Sequence, residues 1–182
     1  MKLVICEKPS VGAAVAAALG VTGKKDGYIE NDKYIISWCI GHLVQLSEAA
    51  AYGEQYRKWS YDSLPILPQE WQYTVAADKG KQFKILKDLM HRADVSEVVN
   101  ACDAGREGEL IFRFVYHQAG CKKPFTRLWI SSMETDAISK SDDRRFAVYL
   151  IDAPVAQLDR VTDSDSVGRT FESCRAFLPA VR

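Results

Sequence analysis

Short apolar runs alternate along the chain with stretches whose apolar residues recur every three or four positions. That alternation predicts a parallel or mixed sheet covered by helices. Leu3-Val4-Ile5-Cys6 reads as a buried strand. Ser10 follows as a helix cap for residues 11–19, which Gly20 ends. Tyr28-Ile29-Glu30 and Tyr34-Ile35-Ile36-Ser37-Trp38 flank Asn31-Asp32 and predict a hairpin. Gly41-His42 leads into residues 43–51, read as a short helix. Residues 53–70 carry Trp59, Tyr61, Pro65 and Pro68 and predict an ordered loop, because proline interrupts any ladder. Residues 71–75 alternate like a strand, and Phe83, Leu86, Lys87 and Met90 fall at helical spacing within residues 81–92. Residues 97–102 predict a second buried strand, and Arg106–Ala119 a helix with Leu110, Ile111, Phe114 and Val115 on its apolar face. Pro124 breaks the chain, residues 127–130 return as a strand, and residues 133–139 begin another helix.

The pattern changes after Lys140. Residues 1–140 hold 13 lysines and 5 arginines, whereas residues 141–182 hold no lysine and 6 arginines. Clean periodicity also stops, apart from residues 146–151. The expected organisation is therefore one domain over residues 1–140 and a divergent tail over 141–182 that does not belong to the same fold. The segment Ala153-Pro154-Val155-Ala156-Gln157-Leu158-Asp159-Arg160, with Gly168-Arg169-Thr170-Phe171-Glu172-Ser173, resembles a translation across a transfer-RNA gene. The alternative is a helix over residues 146–151 that docks on the domain, since termini are often tied down in that way.

Composition narrows the class without naming a function. With 182 residues, 47% apolar and 26% charged, the chain has the content of an ordinary globular protein. No apolar run approaches the ~20 residues needed to span a bilayer. The start turns charged at Glu7 and Lys8, too early for a signal peptide, so the expectation is a cytoplasmic protein. Five cysteines show no paired spacing, and Cys6, Cys39 and Cys102 each end an apolar run, where a thiol packs as a small hydrophobe. Basic and acidic residues balance at 24 each, so any surface for nucleic acid must be local.

Two acids stand just beyond the two buried strands, Glu7 after the first and Asp103 after the second. In an open α/β sheet, ligands collect at the carboxyl ends of strands. Glu107 follows in the first turn of the next helix and can face the same point. Three such carboxylates suit Mg²⁺, which keeps several waters and bridges to phosphate. They equally suit one acid of raised pKa among ionised neighbours, and acids at a helix start are favoured by capping and the helix dipole alone. Gly105 and Gly108 beside Arg106 allow close backbone approach to a phosphate. No GxxxxGK[ST] loop is present to favour a nucleoside triphosphatase. His42, with apolar neighbours, reads as structural, and Lys79, Lys81, Lys84 and Lys87 as a solvated helix face rather than a phosphate track.

Several ordered blocks now add a resemblance. Ile5-Cys6-Glu7-Lys8-Pro9-Ser10 is similar to the EKPS opening of the topoisomerase III branch, and Asp103-Ala104-Gly105-Arg106-Glu107-Gly108-Glu109 to the acidic motif of the topoisomerase–primase (Toprim) domain. Trp38-Cys39-Ile40-Gly41-His42-Leu43, Leu64-Pro65-Ile66-Leu67-Pro68 and Arg127-Leu128-Trp129-Ile130-Ser131-Ser132 match further blocks in order. Over about residues 1–139 the chain resembles the N-terminal Toprim domain of bacterial type IA DNA topoisomerases III, and ordered motifs are more specific than any single one.

The resemblance implies an α/β Toprim fold, a mainly parallel sheet flanked by helices, with Mg²⁺ as cofactor and single-stranded DNA as partner. It implies that Glu7 assists proton transfer at the scissile phosphodiester and helps hold metal, and that Lys8 stabilises phosphate charge. Asp103 and Glu107 match the first and third acids of the DxDxE pattern, while Gly105 stands at the second. Metal binding is then expected to be weaker, or to lean on Glu7, Glu109 or water. Trp59 matches a tryptophan placed beside DNA, and Arg106 is expected either to meet phosphate or to brace the carboxylates. The nucleophilic tyrosine would come from C-terminal domains absent from this chain, and Tyr149, in the non-matching tail, has no claim to that role. Rival readings are a Toprim primase or nuclease, against which the EKPS and GHL blocks speak, and a non-catalytic recombination module, which a cysteine cluster would favour.

Overall fold

The computed structural model describes residues 1–58 and 60–128. Trp59 and residues 129–182, and with them the expected helix at 133–139 and the tail, lie outside the described residues.

The chain enters on β1 (Lys2–Cys6), whose side chains are buried on both faces. Parallel strands β4 (Tyr34–Trp38) and β7 (Glu97–Ala101) flank it, Cys6 standing level with Trp38 on one side and Ala101 on the other. The hairpin strands β2 (Gly23–Lys25) and β3 (Tyr28–Glu30) extend the sheet antiparallel beyond β4, and β8 (Phe125–Arg127) extends it in parallel beyond β7. Among the described residues the order is β2-β3-β4-β1-β7-β8. This is the mainly parallel α/β sheet expected from the alternation of apolar runs with helical periods.

Helix α1 (Pro9–Ala18) covers one face of the sheet: Val15 and Ala16 pack with Val4, Cys6, Ile36 and Val99. Helices α2 (Gly80–His91) and α3 (Arg106–Ala119) cover the other, where Leu86, Met90, Ile111 and Phe112 pack on Leu3, Ile5, Ile35 and Val98. Odd and even residues of β1 thus serve different layers, which is why its sequence is a continuous apolar run.

The structure differs from the sequence reading at several points. Helix α1 begins earlier than expected: Lys8 occupies the cap position without a side-chain cap, and Pro9 supplies the first turn, where its missing N–H costs nothing. Gly20 ends it as expected, with φ 65. Residues 43–51 are not one helix but β5 (Val44–Leu46) and a short 3-10 turn, Ala49–Tyr52. There Val44, Gln45 and Leu46 pair antiparallel with β6 (Tyr73–Val75) in a small second sheet, so a distant partner overrode local propensity. The three-residue strand β2 carries no apolar signal at all.

Candidate functional site

The outgoing connections of the parallel strands part between β1 and β7. From β1 the chain runs through α1 to β2–β4 on one side; from β7 it runs through α3 to β8 on the other. A crevice opens at such a switch point, outside the carboxyl ends of the strands. Glu7 directly follows β1 there, and Asp103 stands two residues after β7.

One ammonium joins these two acids. Lys8 Nζ lies 3.3 Å from Glu7 Oε1 and 3.5 Å from Asp103 Oδ2. The Glu7 side chain is only 12% exposed, whereas that of Asp103 is 48% exposed. The hydrogen bond to Glu7, then the charges of Glu7 and Asp103, raise the Lys8 pKa above its ordinary value and keep the group charged.

Glu107 has another partner. It stands in the first turn of α3, with Oε2 3.2 Å from His42 Nε2. Lys79 Nζ donates in turn to the His42 carbonyl at 3.0 Å. The structure therefore brings Glu7 and Asp103 onto one cation and leaves Glu107 outside that pair. Among the described residues, no three His, Cys, Asp or Glu side chains are gathered closely enough to hold a metal ion. His42 is not packed away among its apolar neighbours, as the sequence suggested: its side chain is 44% exposed and faces the acidic motif. The Gly-His pair reads as structural in sequence because nothing local shows that α3 approaches it.

Glu109, counted as a possible auxiliary ligand, is already engaged. Its carboxylate accepts from Asn100 Nδ2 at 2.8 Å, Arg113 Nε at 2.8 Å and Arg127 Nη1 at 3.2 Å. Arg106 opens α3 and is exposed. Trp59 lies outside the described residues, so its expected place beside DNA has no structural counterpart here. Of the lysine row, Lys81 pairs with Asp26 at 2.7 Å, while Lys84 and Lys87 are exposed.

The donors at the crevice are oxygen. Cys6 and Cys102 lie beneath it, but burial pushes the Cys6 thiol up, and a hydrogen bond with Cys39 followed by burial does the same for Cys102. Neutral buried thiols are poor ligands. Mg²⁺ takes oxygen donors and is commonly held by one or two carboxylates plus phosphate. The residues present fit such an ion, since Glu7 and Asp103 already share one cation.

A sequence model of the family described as Toprim domain matches residues 2–133. The chain is similar to DNA topoisomerase 3 of Staphylococcus haemolyticus (strain JCSC1435), with 42% identity over 159 residues, covering 85% of this chain and 22% of that protein. To DNA topoisomerase 3 of Bacillus subtilis (strain 168) it is 44% identical over 138 residues, 76% of this chain and 19% of that one. It thus spans about a fifth of the length of these curated relatives. Full-length topoisomerase I from Thermotoga maritima superimposes with a TM-score of 0.49 at 18% identity, covering 76% of this chain and 20% of that one.

Proposed function

This chain belongs to the Toprim domain family, and we propose that it supplies the acidic, Mg²⁺-holding part of a type IA DNA topoisomerase 3 site. In that reading one DNA strand is cut and rejoined through a tyrosine carried elsewhere in a longer protein. The observation that carries it is the pair Glu7 and Asp103, set at the sheet's switch point and converging on a single cation.

Glu7 and Asp103 are the residues that would hold the ion, and Glu107 would join them only by leaving His42; when bound, the ion would supply positive charge to the phosphate. Lys8 reaches the same point and, once an ion has displaced it from the carboxylates, would offer a second positive charge to the phosphate. In this reading Glu7, mostly enclosed and next to that lysine, takes or returns a proton at the cleaved ester. Arg106, exposed at the start of α3, is the residue this reading assigns to a neighbouring phosphate of the strand.

The test is calorimetric. The chain is expected to bind Mg²⁺, and Glu7→Gln or Asp103→Asn to weaken that binding at least about tenfold, since each removes one of two anionic ligands. By itself the 182-residue chain is expected neither to relax supercoiled plasmid nor to form a covalent DNA adduct. Relaxation by this chain with Mg²⁺ alone would overturn the assignment of the tyrosine to another part of the protein, and equal Mg²⁺ binding in all three proteins would overturn the metal site.

The glycine at the second motif position provides an independent check. Gly105 is extended (φ 179, ψ 175), and among the described residues a Cβ built on it meets nothing within 4 Å. It is also the cap residue of α3, a position aspartate favours. Gly105→Asp is therefore expected to fold normally and to tighten Mg²⁺ several-fold, roughly five times, by adding a carboxylate to the crevice. A folded variant with weaker Mg²⁺ binding would show that this position does not face the ion.

A further inference from the structure

Behind the crevice lies a polar network of Asn100, Glu109, Arg113 and Arg127. Asn100 and Arg127 stand level on the neighbouring strands β7 and β8. Helix α3 packs over them and contributes Glu109 and Arg113, one turn apart. The side chains of Arg113 and Arg127 are 6% and 9% exposed, and that of Glu109 is 18% exposed. Taking such ions out of water is costly, and apolar residues of equal size often serve stability as well. The network therefore calls for a reason other than stability.

Its hydrogen bonds lead to one place. Asn100 Oδ1 accepts from the Cys102 N–H at 3.1 Å, and Arg127 Nη2 donates to the Asp103 carbonyl at 2.6 Å. These two backbone groups bracket Asp103, in the stretch where β7 has ended and α3 has not begun. Sheet pairing no longer holds the chain there, and side chains take its place. Glu109 ties the two arms together, receiving Asn100 and Arg127 on one oxygen and Arg113 on the other.

We propose that Arg127 is a positioning residue for the acidic site: fixed by Glu109, its guanidinium sets the Asp103 backbone so that the carboxylate stands beside Glu7. Arginine suits the task because its planar fork reaches a carboxylate and a carbonyl at once, whereas lysine offers a single ammonium. The inference rests on the reading of Asp103 as a ligand, but it concerns backbone geometry that exists without metal.

The test uses Arg127→Lys, which keeps the charge beside Glu109 but loses the fork, and Arg92→Lys as a control. Arg92 pairs with Glu30 and Asp94 near the amino ends of the strands, away from the crevice. Amide hydrogen exchange is followed without metal, and Mg²⁺ affinity by calorimetry. Arg127→Lys is expected to speed exchange at residues 103–105 and to weaken Mg²⁺ by about tenfold, in line with outer residues that orient metal ligands. Arg92→Lys is expected to leave both at wild-type values even where it lowers Tm as much. Unchanged exchange at 103–105 in Arg127→Lys would overturn the proposal, as would equal changes in both variants. If the wild-type chain binds no Mg²⁺, the metal reading fails alone, and the exchange measurement still decides the role of Arg127. Should Arg127→Lys fail to fold, Arg127→Gln, which loses the fork but stays polar, is read in the same way.

Discussion

Gly108→Ala is expected to destabilise the chain by about 2–4 kcal/mol, although alanine is the better helix former by about 1 kcal/mol. A Cβ at Gly108 would stand 2.2 Å from the Asp103 carbonyl oxygen, 2.8 Å from its nitrogen and 3.0 Å from its carbonyl carbon. All three are backbone atoms, so no side chain can rotate out of the way. Nor can α3 withdraw freely, because Ile111, Phe112 and Val115 on the same helix are fully or nearly buried in the core. The clash must be relieved by moving the Asp103 peptide, the group that Arg127 holds. A thermal melt should show Tm lowered by roughly 5–15 °C, from about 2–4 °C per kcal/mol for a chain of this size. Mg²⁺ binding should weaken with it. Gly105→Ala, three residues earlier and open on all sides, should melt within about 2 °C of wild type, because no backbone contact is disturbed there. Equal melting of the two variants would show that α3 is not seated on the Asp103 backbone.

The contrast between these glycines shows where sequence reading reaches and where it stops. Both were read as places of close approach to phosphate, yet Gly108 makes room for the protein's own backbone, and Gly105 makes room for nothing among the described residues. The central frame was legible because it depends on local pattern: a strand buried on both faces must be a continuous apolar run, so Leu3–Cys6 and Val98–Cys102 declare themselves, as does the amphipathic period of α3. Placing Glu7 and Asp103 at adjacent strand ends followed from that frame. The pairing of β5 with β6 was not legible, since strand formation at Val44–Leu46 depends on residues near Tyr73 that local propensity does not reach. The same limit hid His42, whose partner Glu107 lies 65 residues away. The network around Arg127 left one trace, the polar Asn100 inside the run Val98-Val99-Asn100-Ala101-Cys102, fully buried in the structure. A buried amide requires partners, and asking which ones would have directed attention to Glu109.

Replacing Lys8 by methionine is expected to tighten Mg²⁺ about tenfold, while weakening binding of a short single-stranded oligonucleotide in the absence of metal. The two effects are expected to have opposite signs because the proposed site gives one ammonium two functions. In the structure Lys8 Nζ lies between Glu7 and Asp103, where a bound cation would also gain most from both carboxylates. An incoming ion must displace it, and its removal relieves that competition. Methionine keeps the length and apolar bulk of the side chain, so the backbone leading into α1 is undisturbed. The gain is limited because the Lys8 side chain is 54% exposed, and water already screens its charge. Glu7 is more enclosed, so without either lysine or metal its negative charge loses its ion-pair partner, and the variant should melt lower in chelator than in Mg²⁺ by more than wild type does. The loss on DNA follows from the same charge: a phosphate that reaches the crevice meets Lys8 first, and with methionine it meets two carboxylates. Calorimetry with Mg²⁺ and fluorescence anisotropy with the oligonucleotide read the two effects separately. Mg²⁺ affinity that stays level or falls in Lys8→Met would show that the lysine supports the carboxylate pair rather than standing in the place of the metal.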